Sequence, residues 1–481
     1  MNSSEPTIAR TRGSTESQGE GEGFAARPAQ RSTWGDDLPA RDSRAGAAAT
    51  ADLVSRIVDR SAHVVVVGQG YVGLSLSCAA AERGFSLVGL DVDADRVAEL
   101  NAGRLTVPGV SDDEFAAAGA TGLLRFTSDP AAIESADVVV ICVPTPLKDH
   151  VPDLSFVDMA CTTIARHLAP GTLVVMESTT YPGTTDEVVR PVLESSGLRA
   201  GRDFRLAYCP ERIDPGNRAF GLARIPRVIG GIDEASISAA SAFYGQFVDR
   251  IVTVSSCRTA ELAKLLENTF RHVNIALVNE MAMLCHETRV DIWEVIQAAA
   301  SKPFGFMPFY PGPGVGGHCI PLDPTYLAWQ MRRDVGHQFR ILEQSQDINA
   351  QMPDYVGSRI AEMLNDAGKA VNGAHVLVLG VAYKPGVGDV RESPSLKVMN
   401  WLLRRGATVR FHDPYVGTVA LNGRRLDRTE LDEDSLRTAD CVALLTPHPT
   451  YDLNSIADTA RLIFDARNAY GDHQHSNVVA L

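Results

Sequence analysis

The segment HVVVVGQGYVG, residues 63–73, decides the fold of this chain. Four consecutive valines that end at a glycine are typical of a short strand buried in a parallel sheet. The glycines have the spacing G-x-G-x-x-G, and residues 71–83 after them have the pattern of a helix. A second apolar segment, SLVGLD at 86–91, ends in an acidic residue. Strand, glycine turn, helix and strand in this order predict a nucleotide-binding βαβ unit.

Each glycine of the turn has its own physical role. Gly68 permits the tight turn, Gly70 lets a pyrophosphate approach the backbone, and Gly73 lets the helix pack closely on the strand. The phosphates would meet free N–H groups at the helix N-terminus. Asp91 would accept hydrogen bonds from ribose hydroxyls and repel a 2′-phosphate, which favours NAD over NADP. The cofactor-binding residues predicted for this unit are Gly68, Gly70, Tyr71, Val72, Gly73 and Asp91.

The rest of the chain extends this unit into three predicted domains. Strand and helix patterns alternate through residues 61–255, which predicts a doubly wound domain. Residues 256–366 are helical in pattern, and the order of a strand, a helix and a strand ending in Asp recurs within 367–481. A chain of 481 residues also needs more than one core. The fold class is therefore α/β, with two Rossmann-like doubly wound domains joined by a central helical domain.

The central segment is predicted to contain a long, largely buried helix, with a further helix at about 340–366. The apolar residues that recur there at helical spacing are Leu262, Leu265, Leu266, Phe270, Val273, Ala276, Leu277 and Met281.

Composition and charge narrow the function classes. Residues 1–60 are poor in aliphatic side chains and are expected to form a disordered tail, with a helix starting near residue 50. The net charge of −14 argues against nucleic-acid binding, because an acidic chain cannot neutralise phosphates over a broad face. Membrane-spanning and signal-peptide patterns are not visible, so we expect no membrane association. The eight cysteines form no CxxC pair, which favours a reducing compartment and the cytoplasm.

A lysine, an asparagine and a cysteine of the central segment have the chemistry of a catalytic site. Lys264, Asn268 and Arg271 are spaced to share one helix face. Cys319 lies in a loop rich in glycine and proline, GVGGHCIPLDP, where its sulfur could reach a bound substrate. A nucleophilic thiolate beside NAD can turn an aldehyde into a thiohemiacetal, then a thioester, which water hydrolyses to an acid. His318 and Cys319 lack the spaced partners that a metal site needs, so no metal is expected.

Together these segments resemble the UDP-glucose/GDP-mannose dehydrogenase family over about residues 61–470. The resemblance rests on six separated motifs, which are VVGQGYVGLSLS, ESTTYPGTT, YCPERIDPGN, ELAKLLENTFRHVNIALVNE, PGPGVGGHCIPLDP and VLGVAYKPGVGDVRESPS.

The resemblance implies a role for individual residues. Cys319 would be the nucleophile, while Lys264 and Asn268 would hydrogen-bond the reacting oxygen at C6 of the sugar. Asp323 would support the Cys–Lys region, and Glu211 would assist the hydrolytic water. The remaining implied contacts are Thr179 to that water or the nicotinamide, Arg96 and Thr145 to NAD, and Gly316, Tyr383, Lys384 and Arg391 to the UDP-sugar.

Two departures from many UDP-glucose dehydrogenases indicate the substrate. Pro215 stands where those enzymes have a second Glu, and Lys302 and Pro303 stand where they have an Arg. Both features resemble the branch that acts on UDP-N-acetylhexosamines, especially UDP-N-acetylglucosamine. Within that branch the expected substrate is UDP-GlcNAc or UDP-ManNAc, oxidised by four electrons at C6. The substrate contacts that follow are Arg212, Ile213 and Arg271.

Three alternatives stay open from the sequence. One is a UDP-glucose 6-dehydrogenase, the second is a two-electron dehydrogenase that releases one NADH per substrate, and the third is a catalytically inactive NAD-binding regulator. The resemblance also implies a homodimer or higher homo-oligomer built through the central helices.

Overall fold

The structure is a computed structural model that describes residues 43–105, 107, 109–149, 151–212, 221–317, 319–471 and 475–481. Residues 44–481 form one compact unit. The expected tail up to residue 42 lies outside the described residues, as do Ile213, Pro215 and His318.

The first domain contains an eight-stranded sheet with the order β10-β9-β8-β7-β4-β1-β2-β3. Neighbouring strands are parallel except for β8 and β9, which are antiparallel. Strands β5 and β6 form a separate two-stranded hairpin. The strands are β1 (His63–Val67), β2 (Ser86–Leu90), β3 (Leu124–Thr127), β4 (Val138–Ile141), β5 (Leu147–Lys148), β6 (Val151–Pro152), β7 (Leu173–Met176), β8 (Arg205–Tyr208), β9 (Arg227–Gly231) and β10 (Ile251–Val254). The helices are α1 (Ser43–Val58), α2 (Tyr71–Glu82), α3 (Ala94–Asn101), α4 (Asp112–Ala120), α5 (Ser155–His167), α6 (Arg190–Glu194) and α7 (Glu234–Tyr244).

The predicted nucleotide-binding unit is the centre of this sheet. Strand β1 lies between β2 and β4, and its valines Val64, Val65 and Val66 are fully buried. A strand covered by helices on both faces needs apolar side chains on both, which explains the uninterrupted valine run.

Helix α1 corrects the expected extent of the N-terminal tail. It begins at Ser43, and its residues Leu53 and Ile57 are buried in the core beside β1. Two aliphatic side chains at i and i+4 form an apolar helix face that the first domain can cover. The helix expected near residue 50 is therefore present, and the described structure starts well before residue 60.

A charged pair lies inside the first domain. The Arg227 guanidinium and the Glu177 carboxylate are fully buried, with Nη1 and Oε1 2.6 Å apart. Glu177 also accepts a hydrogen bond from the Cys142 thiol, and Arg227 donates to the Pro210 carbonyl. The pair thereby joins the ends of β4 and β7 to the segment before Glu211.

The central domain consists of α8 (Cys257–Thr288), α9 (Ile292–Ala300), α10 (Asp323–Gln330) and α11 (Arg340–Asp366). Helix α11 agrees with the helix predicted at about 340–366. The expectation that α8 is largely buried is wrong for five of its apolar residues, since Leu262, Leu266, Phe270, Leu277 and Met281 are exposed. A single chain covers one side of this helix, whereas apolar residues occur on both sides.

The second α/β domain repeats the order of the first. Its parallel sheet has the order β12-β11-β15-β16-β17, and β13 and β14 form an antiparallel hairpin. The strands are β11 (His375–Leu379), β12 (Thr408–His412), β13 (Thr418–Leu421), β14 (Arg424–Asp427), β15 (Cys441–Leu444), β16 (Ile463–Asp465) and β17 (Val478–Ala480), and the helices are α12 (Pro394–Arg404), α13 (Glu433–Thr438) and α14 (Leu453–Thr459). The predicted fold class is therefore confirmed.

In the part of the chain that the structure describes, the helices are all too short or too polar to span a bilayer.

Candidate active site

The glycine turn after β1 has the geometry that a dinucleotide needs. Gly68 has a φ of +91°, and a Cβ there would lie 2.6 Å from the Cys142 carbonyl oxygen. A Cβ at Gly73 would lie 1.9 Å from the Gly68 carbonyl oxygen. A Cβ at Gly70 would meet no atom within 4 Å, although Gly70 is the N-cap of α2. Gly68 and Gly73 are thus required by the fold of the protein itself. Gly70 leaves open space at a helix N-terminus, where phosphates bind.

Asp91 is held rigidly at the carboxyl end of β2. Its Oδ2 accepts hydrogen bonds from the Gln69 amide at 2.7 Å and from Arg96 Nη1 at 3.0 Å. Its Oδ1 accepts one from the Asp93 amide at 3.0 Å. The neighbouring Val92 is 99% exposed, an apolar surface beside the cofactor turn that sequence reasoning did not single out.

The helix α8 brings the polar residues of the site together. Lys264 and Asn268 are both buried, as their spacing of four predicted for a shared face. Lys264 Nζ donates to the Glu211 carbonyl oxygen at 2.5 Å, and Asn268 Nδ2 donates to Asp323 Oδ2 at 2.5 Å. Arg271, which the sequence placed on the same face, is exposed.

Glu211 and Arg212 are attached to α8 at two points one turn apart. The first is the bond from Lys264 to the Glu211 backbone. The second is the ion pair of Arg212 with Glu267, at 2.7 Å, which is supported by a hydrogen bond from Arg212 to the Pro226 carbonyl. Glu267 was not predicted, although its place between Lys264 and Asn268 on the sequence was a usable signal.

Cys319 is the most accessible thiol of the chain. The other seven cysteines are buried, whereas Cys319 is half-buried. Its Sγ lies 3.9 Å from the hydroxyl of Tyr71, which belongs to the glycine turn. The loop therefore places the sulfur directly beside the predicted cofactor site, and a bond from the Asp323 amide to the Cys319 carbonyl closes a turn there.

Burial dominates the acid–base properties of this cluster. It raises the pKa of Asp323 to about 6, against the opposing effects of Lys264 and the Asn268 amide. Burial and the Asp323 charge raise the pKa of the Cys319 thiol, while Lys264 acts to lower it. Burial acts to lower the pKa of Lys264, but the electrostatic interactions with Cys319, Asp323 and Glu211 raise it overall. Lys264 thus stays an ammonium ion at neutral pH.

The second α/β domain closes the cluster from the other side. A Cβ at Gly316 would lie 2.8 Å from the Tyr383 Cβ, and the Gly317 amide donates to the Arg391 carbonyl at 3.1 Å. The Arg391 side chain pairs with Asp389. Arg467, which was not predicted, points its guanidinium at the loop, where a Cβ on Gly312 would lie 2.3 Å from Nη1. Lys384 is half-buried on the same segment as Tyr383.

Two further loops of the first domain bind the helices α8 and α10, which carry the polar residues of the site. Thr179 is half-buried in the loop after β7, and Thr145 is half-buried in the loop after β4. The loop after β7 is fixed by Glu261 of α8, which accepts hydrogen bonds from the Gly183 and Thr185 amides and from the Thr185 hydroxyl. Glu261 was missed because a buried glutamate cannot be told from an exposed one by spacing alone.

Sequence models of the UDP-glucose/GDP-mannose dehydrogenase family match this chain over most of its length. The NAD binding domain matches residues 62–248, the central domain 258–351, and the UDP binding domain 377–472. The chain belongs to the UDP-glucose/GDP-mannose dehydrogenase family. It is therefore an NAD-dependent nucleotide-sugar dehydrogenase, with NAD on its first domain and a UDP-sugar as its partner.

Three members of the family illustrate the similarity. UDP-N-acetyl-D-mannosamine dehydrogenase of Pyrococcus horikoshii is 35% identical over 412 residues, which are 84% of this chain and 95% of the relative. A solved structure of the enzyme from that organism has a TM-score of 0.78 at 34% identity and covers 87% of this chain and 98% of its own. NDP-N-acetyl-D-galactosaminuronic acid dehydrogenase of Ralstonia solanacearum is 34% identical over 85% of this chain and 96% of the relative. A UDP-glucose dehydrogenase structure from Pyrobaculum islandicum has a TM-score of 0.75 at 27% identity, covering 87% of this chain and 96% of its own.

The glycine turn of this family member fits NAD, and two glycine variants test its contacts. Gly70→Ala keeps a permitted backbone and should leave the thermal unfolding midpoint nearly unchanged. The new methyl group would occupy the space for the pyrophosphate, so the Kd for NAD⁺ should rise at least about tenfold, roughly 1.4 kcal/mol. Gly73→Ala should instead destabilise the fold, because its Cβ overlaps a backbone carbonyl. Unchanged NAD⁺ affinity in Gly70→Ala by titration calorimetry would place the cofactor elsewhere.

Charge variants should move the reactivity of Cys319 in opposite directions. Asp323→Asn removes a charge that raises the pKa of the thiol, so alkylation by iodoacetamide should begin at lower pH. Lys264→Met removes a charge that lowers this pKa, so alkylation should begin at higher pH. Peptide mass mapping of the labelled cysteine, as a function of pH, measures both.

The difference between Asp323→Asn and the unmodified protein should be clear above about pH 6, where the Asp323 carboxylate is charged. Asp427→Asn, on an exposed hairpin, is the matched control and should leave the profile in place. Shifts in the same direction for both site variants would mean that the two charges do not act on the sulfur.

Proposed function

We propose that this enzyme oxidises the C6 alcohol of a UDP-N-acetylhexosamine to the uronic acid through a thioester on Cys319. The observation that supports this most is the position of Cys319. Its sulfur lies 3.9 Å from Tyr71 of the NAD turn, in one cluster with the buried Lys264, Asn268 and Asp323.

The oxidation to an acid removes four electrons, as two hydrides. NAD supplies the hydride acceptor for both oxidations. The first converts the C6 alcohol to an aldehyde, with loss of the hydroxyl proton. The Cys319 sulfur then bonds to the aldehyde carbon, and loss of a second hydride leaves the thioester. Water breaks the carbon–sulfur bond and restores the thiol, which gives the carboxylate.

Lys264 and Asn268 stabilise the oxygen at C6 in this scheme. Lys264 stays charged because the surrounding negative groups raise its pKa, so it acts as a fixed positive charge and not as a base. Asn268 has its amide group oriented by Asp323. Buried, preoriented donors stabilise a developing oxyanion more than water does.

Asp323 and Glu211 are the carboxylates available for proton transfer. The Cys319 thiol is protonated at neutral pH, since burial raises its pKa, and it must lose a proton as sulfur attacks. Asp323, with a pKa of about 6, can accept a proton released within the cluster. Glu211 is buried and its backbone is anchored by Lys264, which suits it to orient the hydrolytic water, with Thr179 nearby in the loop after β7.

The names of similar relatives support an N-acetylated sugar over glucose. The relatives named for UDP-N-acetyl-D-mannosamine and an NDP-N-acetyl-D-galactosamine derivative are 34–35% identical to this chain over 84–85% of its length. Arg212, whose guanidinium is held by Glu267 and the Pro226 carbonyl beside Glu211, is assigned as a substrate contact. UDP-glucose is the second candidate.

The second α/β domain is the proposed site of the UDP group. Its loop at 383–391 contacts Gly316 and Gly317, next to Cys319. A nucleotide bound on this domain would direct its sugar toward the sulfur. We assign the UDP contacts to Tyr383, Lys384 and Arg391, and we add Arg467 because it faces the same glycine-rich loop.

The free cysteines agree with a reducing compartment, and the cytoplasm stays a prediction.

A second copy of the chain is the proposed cover for the exposed side of α8. Leu262, Leu266, Phe270, Leu277, Met281 and Leu284 are all exposed along this helix. The first and last of them are 22 positions apart, roughly 33 Å at about 1.5 Å per residue. An apolar strip of this length on a single helix is self-complementary under two-fold symmetry, which favours a homodimer.

The reaction is tested by counting NADH per sugar. Limiting UDP-N-acetylglucosamine, UDP-N-acetylmannosamine, UDP-N-acetylgalactosamine and UDP-glucose are each converted with excess NAD⁺, and absorbance is read at the endpoint. Two NADH per sugar are expected for an N-acetylated substrate. Cys319→Ala should bind NAD⁺ normally and form no uronic acid, whereas Cys441→Ala, in the core of the second domain, should retain the full stoichiometry. One NADH per sugar would rule out the thioester route, and turnover of UDP-glucose alone would rule out the N-acetyl substrate.

The dimer is tested by light scattering. The unmodified protein should have twice the mass of one chain, and Leu266→Glu combined with Leu277→Glu should have the mass of a monomer, because two charges would be buried in the interface. Met159→Glu, at an exposed apolar residue of α5, is the control and should leave the dimer intact. A monomeric mass for the unmodified protein would refute this assembly.

A further inference from the structure

Helix α10 directly follows the Cys319 loop and carries three polar residues on one face. Asp323, Tyr326 and Gln330 have the spacing i, i+3 and i+7, which aligns them along the helix. Asp323 accepts the hydrogen bond from Asn268 in the active site. The other two side chains point away from the sulfur, toward the first domain.

Tyr326 and Gln330 bind two different loops of the NAD domain. The Tyr326 hydroxyl donates to the Thr145 carbonyl, and Gln330 Nε2 donates to the Pro182 carbonyl at 2.6 Å. Thr145 lies in the loop after β4, and Pro182 lies three residues after Thr179 in the loop after β7. Because β4 and β7 are paired parallel strands, both loops leave the same edge of the sheet, where the cofactor cleft is.

The Tyr326 side chain lies in an apolar environment, whereas Gln330 is half-buried. Tyr326 is 1% exposed and packs with the buried Tyr181 and Leu265, and the Trp329 ring lies tilted against Tyr181 with ring centroids 5.1 Å apart. Burial raises the pKa of Tyr326 to about 12, so its hydroxyl stays a donor at working pH. A hydrogen bond shielded from water holds its two ends at a fixed distance more firmly than one in solvent.

We propose that Tyr326 and Gln330 are positioning residues that set the distance between the nicotinamide and the Cys319 sulfur. The inference deepens the proposed function and rests on it for the reaction. Helix α10 has Asp323 at its N-terminal end, next to the Cys319 loop. Further along the helix, Tyr326 and Gln330 bind the two loops that would border the nicotinamide, so these loops and the sulfur are held at a fixed separation. Neither side chain needs to touch the substrate. Their effect is on hydride transfer, which depends steeply on the alignment of the reacting atoms.

The test uses Tyr326→Phe and Gln330→Met, alone and together. Each removes one hydrogen bond and preserves side-chain size. Tyr451→Phe is the matched control, since its buried phenol also donates to a backbone carbonyl, that of His412 at 3.0 Å, but in the second domain. The single-turnover rate of hydride transfer with a UDP-N-acetylhexosamine should fall roughly tenfold to a hundredfold in the double variant. The KM for the UDP-sugar and the Kd for NAD⁺ should change less than about threefold, because Asp91 and the glycine turn are untouched.

A second readout is independent of the sugar. The fluorescence lifetime of bound NADH reports how firmly the nicotinamide is held, and it should shorten toward that of free NADH in Tyr326→Phe but not in Tyr451→Phe. Unchanged lifetime and hydride-transfer rate in the double variant, or an equal loss in Tyr451→Phe, would overturn the inference. If the unmodified protein turns over no sugar, the proposed function fails, and the lifetime measurement alone decides whether Tyr326 holds the nicotinamide.

Discussion

A buried ammonium ion determines how the parts of this enzyme meet. Removing the Lys264 charge from water is costly unless other groups surround it. Those groups come from two different segments, the Glu211 carbonyl from the first domain and the Asp323 carboxylate from the start of α10. Because α8 carries Lys264, both segments must approach this helix. The glycine-rich loop makes the approach possible, since Gly316 and Gly317 admit Tyr383 of the second domain at distances that a side chain would block.

The two α/β domains show how one pattern can serve two purposes. Asp91 follows β2 and Asp413 follows β12, and both accept hydrogen bonds from the amides of the turn after the first strand of their domain. Asp413 also meets His448, whose Nε2 lies 3.0 Å from it while Nδ1 accepts from the Gly386 amide. Asp413 and His448 are fully buried, so this carboxylate is closed to a ribose. The second domain thus keeps the architecture of a dinucleotide site without its ribose contact, which agrees with binding UDP instead.

The sequence predicted what depends on local periodicity and turn chemistry. The valine run, the glycine spacing and the residue ending β2 identified the first domain, and the spacing of Lys264 and Asn268 placed both on one buried face. Local patterns could not show which side of α8 the rest of the chain would cover, because apolar residues occur on both sides and Leu266, for example, is exposed. They also left Glu261 and Glu267 unnoticed. A glutamate on a helix is normally solvated, and its role depends on amides or a guanidinium brought near it by distant segments.

Helices α8 and α10 together explain why the site is rigid where its chemistry requires it. The inner face of α8 binds the loop after β7 through Glu261, the segment before β9 through Lys264, and Asp323 through Asn268. Helix α10 begins at that same Asp323 and returns to the loops after β4 and β7. Helix α8, helix α10 and the loops of the first domain are therefore all connected by hydrogen bonds, and displacement of any one of them would strain the bonds to the others. In the proposed reaction the aldehyde and its thiohemiacetal must be retained between two hydride transfers, so a site whose walls are mutually fixed suits that reaction better than one assembled from independent loops.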